Sequence, residues 1–174
     1  SRCKVEKTMK VDQYQYLIDN AFGACSGDGP PPVKYTELPV QQLNPLVLAY
    51  IGDAYFNLYV RTKLLSYEQN KVRVLHTFGS KVVSATMQSI AYKALEDGLT
   101  DQEKSIARRG RNAKSTVPKS ATVGEYRSST GFEALLGHLY LEKNNERLSE
   151  LAEKAFAVIT REMTNTAKKS GENK

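Results

Sequence analysis

Apolar residues recur at helical spacing along most of the chain, whereas few windows alternate apolar and polar residues with the period of two typical of strands. This pattern predicts an all-α fold, built as a helical bundle. Asn44 followed by Pro45 is typical of a helix start, and this helix is expected to end near Leu65. Thr100 with Glu103 matches a capping box, which predicts the start of another helix.

The same helical spacing predicts further helices after residue 71. Gly79 is expected to divide the earliest of these stretches into two helices. Residues 110–129 are predicted to form a loop, because they contain Gly110, Pro118 and many serines and threonines. The predicted helical stretches are residues 72–94, 130–143 and 146–163.

The N-terminal region is less regular than the remainder. A short amphipathic helix is predicted within residues 9–22, and the segment GDGPPP at residues 27–32 is predicted to be a linker. The predicted organisation is an N-terminal extension with its linker, one helical domain and a polar C-terminal tail, over residues 1–36, 37–163 and 164–174.

Asp53 stands out in the helix that begins at Pro45. Its neighbours on nearly every side of the helix are apolar, so the helix is expected to be surrounded by protein and Asp53 to be buried. An isolated buried carboxylate is strongly destabilising unless it is paired, protonated or bound to a metal. Gly52 is small enough to let another backbone approach closely.

Residues 130–143 repeat this arrangement, with Glu133 as the acid and Gly137 one turn further on the same face. If the two glycines face each other, Asp53 and Glu133 meet where the helices cross, and their like charges favour a cation between them. Oxygen ligands without histidine or cysteine select a hard ion, Mg²⁺ or Mn²⁺.

Structural roles for the two acids remain open on the sequence alone. Thr130 and Glu133 have capping-box spacing, so Glu133 could simply stabilise the start of a helix. Asp53 could instead form a buried ion pair with an arginine such as Arg61 or Arg127.

The charge of the chain narrows the class of partner. The chain has 25 Lys+Arg against 19 Asp+Glu, a formal net charge of +6, which favours an anionic partner such as nucleic acid. Positive residues concentrate between Lys104 and Arg127, where Glu125 is the only opposing acid. Arginine matches phosphate with two parallel hydrogen bonds, and Asn112 and Ser115 add neutral donors. A solvated surface loop is the alternative reading of this charge cluster.

The cysteines, the histidines and the hydropathy of the chain argue against a disulfide framework, a structural zinc site, catalytic histidines and a membrane span. Cys3 and Cys25 have no zinc-ligand spacing and suggest neither a disulfide framework nor a structural metal, so a reducing compartment is expected. His76 and His138 are interpreted as packing or surface residues. The sequence contains no run of eighteen apolar residues, so no membrane association is expected.

The segments YIGDA and FEALLGHLYLE resemble the ribonuclease III domain, and most closely its reduced form, Mini-ribonuclease III. Further similarity lies in QLNPLVLAYIGDA, KVVSA and RRGRNAKS, so the resemblance covers essentially residues 37–162. Full-length ribonuclease III has additional acids at the positions of Leu46, Ala49 and Thr130, and the reduced form departs from that pattern as this chain does.

The resemblance implies a metal-dependent endoribonuclease of double-stranded RNA that leaves 5′-phosphate and 3′-hydroxyl ends, with Asp53 and Glu133 as catalytic residues and ligands of Mg²⁺, which Mn²⁺ can replace. The resemblance also implies a two-fold homodimer whose substrate is the precursor of large-subunit (23S) ribosomal RNA. A ribosomal protein is a further expected partner. The expected location is the bacterial cytoplasm, or a plastid stroma if the source is a plant. The expected RNA-binding residues are Arg108, Arg109, Arg111, Asn112, Lys114, Ser115, Lys119 and Arg127.

Two other functions are compatible with parts of the sequence. A non-catalytic RNA-binding or ribosome-associated module of the same fold is suggested by the neutral residues at positions 46, 49 and 130, and opposed by the retention of Asp53 and Glu133. A helical metal phosphohydrolase acting on nucleotides would need histidine–aspartate ligand pairs, which the sequence lacks.

Overall fold

A computed structural model describes residues 13–20, 27 and 31–172, and its contacts divide the chain into two units, Ser1–Leu38 and Pro39–Lys174. In the first unit, residues 13–20 form a helix, α1, and Tyr35–Glu37 form a 3-10 turn. The remainder of the amphipathic helix predicted for residues 9–22 lies outside the described residues, as do both cysteines and residues 28–30 of the predicted linker.

Helices make up the second unit, and its described residues contain no strand, which confirms the all-α prediction. Short 3-10 turns at Val40–Gln42 and Glu96–Gly98 precede α2 and α5. The helices are α2 (Pro45–Leu64), α3 (Val72–Val82), α4 (Ala85–Leu95), α5 (Asp101–Asn112), α6 (Val123–Leu141) and α7 (Asn145–Glu172).

Two predicted helix starts are confirmed by their capping hydrogen bonds. The Asn44 side chain accepts a hydrogen bond of 2.9 Å from the backbone N–H of Leu46, immediately before α2. Thr100 and Glu103 form the reciprocal pair of a capping box at the start of α5. Both signals depend only on residues close in sequence.

The break between α3 and α4 does not fall where it was predicted. Gly79 lies inside α3, and the chain breaks instead at Val83 and Ser84. The Ser84 hydroxyl accepts a hydrogen bond of 3.3 Å from the backbone N–H of Met87 and so caps α4. A serine cap, and not glycine, therefore determines this boundary.

Helix α6 begins earlier than predicted, and the loop before it is shorter. Thr122 and Glu125 form a capping box, so α6 starts at Val123 and only residues 113–122 connect it to α5. Glu133 therefore lies in the middle of α6, which shows that the capping role considered for Thr130 and Glu133 was wrong. At the other end of the domain, α7 continues to Glu172, past its predicted end near Met163.

Helix α6 lies at the centre of the domain and packs against α2, α4, α5 and α7. Most of its residues are buried from Ser128 onward, including the small polar ones that face neighbouring helices. Phe132 packs edge-on against Phe56 of α2, with ring centroids 5.3 Å apart and an interplanar angle of 88°. This contact adds side-chain packing between α6 and α2.

Helix α2 is not surrounded by protein, in contrast to the prediction. Tyr50 is 76% exposed and Leu58 67% exposed, so one side of α2 lies on the surface while Leu48, Phe56 and Val60 fill the core. Within the described part of the chain, none of the helices combines the length and hydropathy that a transmembrane span requires.

Candidate active site

Helices α2 and α6 touch backbone to backbone at a pair of glycines. A Cβ placed on Gly52 would overlap the carbonyl oxygen of Glu133 and stand 2.8 Å from the backbone nitrogen of Gly137. A Cβ on Gly137 would overlap the carbonyl oxygen of Leu48. The two glycines therefore face each other, as predicted, and the crossing tolerates no larger residue at either position.

This crossing brings Asp53 and Glu133 into the lining of one cleft with a volume of about 480 Å³. Helices α2 and α6 form most of its lining, and Ala85 at the start of α4 contributes another part. The remainder comes from the loop of residues 113–122, through Ser115, Pro118 and Ser120. The cleft is thus bounded by three helices and by the loop that follows the basic end of α5.

Asp53 is exposed, and the prediction that it is buried was wrong. Asn57, one turn later on α2, donates a hydrogen bond of 3.0 Å from its Nδ2 to Oδ1 of Asp53. Partial desolvation raises the pKa of Asp53, and the Asn57 hydrogen bond opposes this rise. No described arginine forms an ion pair with Asp53, so pairing with Arg61 or Arg127 was also wrong.

Glu133 is half-buried in the cleft wall. Burial, and then the charge of Asp53, raise the pKa of Glu133 from 4.5 to about 8, while the neighbouring Gln88 carboxamide has a smaller, lowering effect. Described lysines and arginines make no ion pair with Glu133 either. Ionisation of both acids at once is therefore unfavourable in the empty cleft, and a cation between them would stabilise their charged forms.

The donor atoms of the cleft fit a hard divalent ion with an incomplete protein shell. Leu46, Ala49 and Thr130 line the same cleft and supply no carboxylate. Throughout residues 13–20, 27 and 31–172, no group of three or more His, Cys, Asp or Glu side chains could hold a metal. Two carboxylates would bind an oxygen-seeking ion only together with water or substrate oxygens.

The predicted RNA-binding residues lie on the end of α5, on the following loop and on α6. All eight are exposed, but two of the arginines contact other parts of the domain. Arg111 is 4.0 Å from Glu96 in a half-exposed ion pair. Arg109 donates hydrogen bonds of 3.3 and 3.1 Å to the carbonyl oxygens of Gln41 and Leu43 and so anchors the segment before α2.

Ser115 connects the basic segment to the cleft. Its hydroxyl donates a hydrogen bond of 3.2 Å to the Tyr126 hydroxyl of α6, and both residues line the cleft. Ser115 was predicted to be a phosphate donor, whereas Tyr126 and Tyr50 were not predicted to line a cleft. For Tyr50 a signal was available, since it lies three residues before Asp53 and therefore on the same helix face.

Comparison with known proteins identifies the family of this domain. The family model described as Ribonuclease III domain matches residues 46–144, a range that contains Asp53 and Glu133. The chain belongs to the ribonuclease III domain family. Membership in this family identifies an endoribonuclease of the ribonuclease III type.

Related proteins include two from bacteria that are named Mini-ribonuclease 3. The chain is 48% identical over 125 residues to the protein of Thermoanaerobacter sp. (strain X514), with 71% of this chain and 88% of the relative covered. It is 48% identical over 120 residues to that of Symbiobacterium thermophilum, with 68% and 92% covered. The chain also resembles the crystal structure of protein FN1578 from Fusobacterium nucleatum, with 33% identity, a TM-score of 0.61, and 66% of this chain and 92% of that chain covered.

Proposed function

We propose that this ribonuclease III family member is a metal-dependent endoribonuclease that cleaves double-stranded RNA at the cleft containing Asp53 and Glu133. The observation that carries the proposal is the convergence of two carboxylates, without an arginine or lysine partner among the described residues, on one open cleft. The products are expected to carry 5′-phosphate and 3′-hydroxyl ends.

Asp53 and Glu133 would hold a Mg²⁺ ion, which Mn²⁺ could replace. Such an ion supplies Lewis acidity and lowers the pKa of bound water, which is the chemistry that phosphodiester hydrolysis requires. The hydrogen bond from Asn57 fixes one oxygen of Asp53 and leaves the other available as a ligand. Because the protein supplies few ligands, RNA phosphate oxygens are expected to complete the coordination shell.

The basic residues around the cleft would hold the RNA backbone. Arg108, Lys114, Lys119 and Arg127 are exposed and form no ion pair with described residues, so their charges remain available to phosphate. Ser115 and Asn112 are neutral donors beside them. Arg109 would act differently, by holding the chain before α2 as well as by adding charge.

The proposed enzyme acts as a two-fold homodimer. One chain supplies one cleft, whereas cleavage of both strands of a duplex requires two sites related by symmetry. Apolar side chains on the surface of α2 and α3 and on their connection are suited to such an interface, among them Leu58, Leu65, Val72 and Phe78.

The names of the bacterial relatives support a role in RNA processing. The proposed location is the bacterial cytoplasm. The proposed substrate is the precursor of large-subunit (23S) ribosomal RNA, with a ribosomal protein as a further partner. A plastid stroma is the corresponding location if the source is a plant.

A second candidate is a non-catalytic RNA-binding or ribosome-associated module. The neutral residues Leu46, Ala49 and Thr130 in the cleft favour it, because they leave only two carboxylates. This candidate predicts that the protein binds duplex RNA without cutting it in the presence of Mg²⁺.

Incubation of the purified protein with a long RNA duplex, with and without Mg²⁺, tests the proposal. Cleavage only with Mg²⁺, followed by end analysis that finds 5′-phosphates, is the expected result. Asp53→Asn should abolish cleavage while retaining RNA binding, and Glu153→Gln, which removes an exposed acid of α7 outside the cleft, is the control. Binding of the duplex without Mg²⁺-dependent cleavage would favour the non-catalytic module.

A further inference from the structure

Gln88 of α4 is buried in a way that the stability of the fold does not explain. Its side chain is 1% exposed, and its Nε2 donates a hydrogen bond of 2.8 Å to the carbonyl oxygen of Val83 at the end of α3. Its Oε1 is buried and accepts no hydrogen bond from any described residue. A buried acceptor without a partner costs roughly 1–3 kcal/mol, so an apolar side chain of similar size would suit the core better.

Gln88 lies one turn after Ala85 on the same face of α4, and Ala85 lines the cleft that contains Glu133. The lowering effect of the Gln88 carboxamide on the pKa of Glu133 agrees with this placement. An amide nitrogen carries two N–H groups, and the bond to Val83 uses one of them. The second is available for an oxygen of Glu133. Asp53 has a comparable neighbour, since Asn57 donates to its Oδ1 at 3.0 Å.

We propose that Gln88 is a positioning residue, which orients the carboxylate of Glu133 toward the divalent ion. A carboxylate that binds a metal with one oxygen is commonly fixed by a hydrogen bond to the other, and loss of such a partner weakens metal binding roughly 10- to 100-fold. Gln88 performs this role from α4, and Asn57 performs it for Asp53 from α2. The inference rests on the proposed metal site.

Replacement of Gln88 by apolar residues of similar size separates positioning from folding. Gln88→Met and Gln88→Leu remove the unpaired oxygen, which favours folding, and also the hydrogen bond to Val83, which opposes it. The two effects offset each other, so the metal-free melting temperature should stay close to that of the parent protein. Ser89→Ala is the matched control, because the adjacent Ser89 is also 1% exposed and its Oγ also lacks a hydrogen bond from the described residues.

The experiment measures binding of Mn²⁺ to the intact protein in the absence of RNA. Electron paramagnetic resonance reports the concentration of free Mn²⁺, and the titration extends to millimolar Mn²⁺. We expect Gln88→Met to raise the dissociation constant about 10-fold, and Ser89→Ala to leave it unchanged. High Mn²⁺ should then restore cleavage of duplex RNA by Gln88→Met.

Three other outcomes would overturn the inference, and they are distinguishable. An unchanged dissociation constant in a folded Gln88 variant would remove the positioning role and leave the metal site intact. If both apolar variants fail to fold, the amide is required for the structure instead. If Mn²⁺ binding is absent, or is unaffected by Asp53→Asn, the proposed metal site itself is wrong.

Discussion

Two glutamates of this domain, Glu103 and Glu133, are both withdrawn from solvent and yet have opposite environments. Glu103 accepts hydrogen bonds of 2.8 and 2.9 Å from Nε and a terminal nitrogen of Arg147, and this pairing lowers its pKa. Burial and the charge of Asp53 raise the pKa of Glu133 to about 8. The fold thus neutralises the first acid and leaves the second uncompensated, which distinguishes a structural ion pair from a site prepared for a ligand.

The largest difference between the Glu133 and Glu103 variants should appear in the rate of RNA cleavage. Glu133→Gln is expected to lower the rate of duplex cleavage roughly 1000-fold, because removal of a metal ligand forfeits several kcal/mol of transition-state stabilisation. Its melting temperature should not fall, since glutamine has nearly the shape of the neutral carboxyl group that a pKa of about 8 maintains at neutral pH. Glu103→Gln, assayed below its own melting temperature, should cleave at nearly the parent rate. Equal activity losses in the two variants would abolish the distinction.

For the free energy of unfolding the order should be reversed, with the larger loss in the Glu103 variant. Glu103→Gln is expected to lower the free energy of unfolding by about 2–3 kcal/mol, somewhat less than a fully buried pair, because Arg147 keeps its 2.9 Å ion pair with Glu150. Urea denaturation at neutral pH measures this loss. If Glu133→Gln destabilised the protein as much as Glu103→Gln, Glu133 would have an additional structural role.

The pH dependence of stability sharpens the comparison further. Because the folded state lowers the pKa of Glu103 below 4.5, this group stabilises the fold fully above that pH and loses its contribution as the pH falls through the lowered pKa. The difference in unfolding free energy between the parent protein and Glu103→Gln should therefore be constant from pH 6 to 7 and shrink toward pH 3. A difference that stays constant down to pH 3 would contradict the assigned cause.

The same contrast extends, with smaller effects, to the arginines. Arg108 is exposed and unpaired among the described residues, whereas Arg109 is bound to the carbonyl oxygens of Gln41 and Leu43. Arg108→Ala is expected to weaken duplex binding and to reduce the slope of log affinity against log salt by about 1, without changing the melting temperature. Arg109→Ala should lower the melting temperature as well. Binding measured at several salt concentrations, together with thermal melts, separates the two roles.

The sequence predicted the parts of the fold that depend on nearby residues. Asn44 and Thr100 cap their helices through bonds that span two or three positions, and both starts were found. Thr130 with Glu133 has the same local spacing as Thr122 with Glu125, yet only the latter pair caps a helix. Tertiary burial of the small polar residues between them extends α6 backward, and local spacing contains no information about that burial.

The site was predicted in part. Glycines beside the two acids indicated the close crossing of α2 and α6, because only a missing side chain permits such an approach. The exposure of Asp53 was missed, since apolar neighbours such as Tyr50 and Leu58 lie on the surface. The bonds from Arg109 to Gln41 and Leu43 join positions 68 and 66 residues apart, and no periodicity in the sequence predicts pairings at that range.

The glycine crossing also bears on how the domain tolerates amino-acid replacement. Since two main chains abut at Gly52 and Gly137, the separation of the helices there does not depend on the size of any intervening side chain. Conservative substitutions at Phe56 or Phe132 are therefore expected to lower the melting temperature without changing the distance between the carboxylates of Asp53 and Glu133. The relative position of the two proposed catalytic acids therefore tolerates substitutions in the surrounding core.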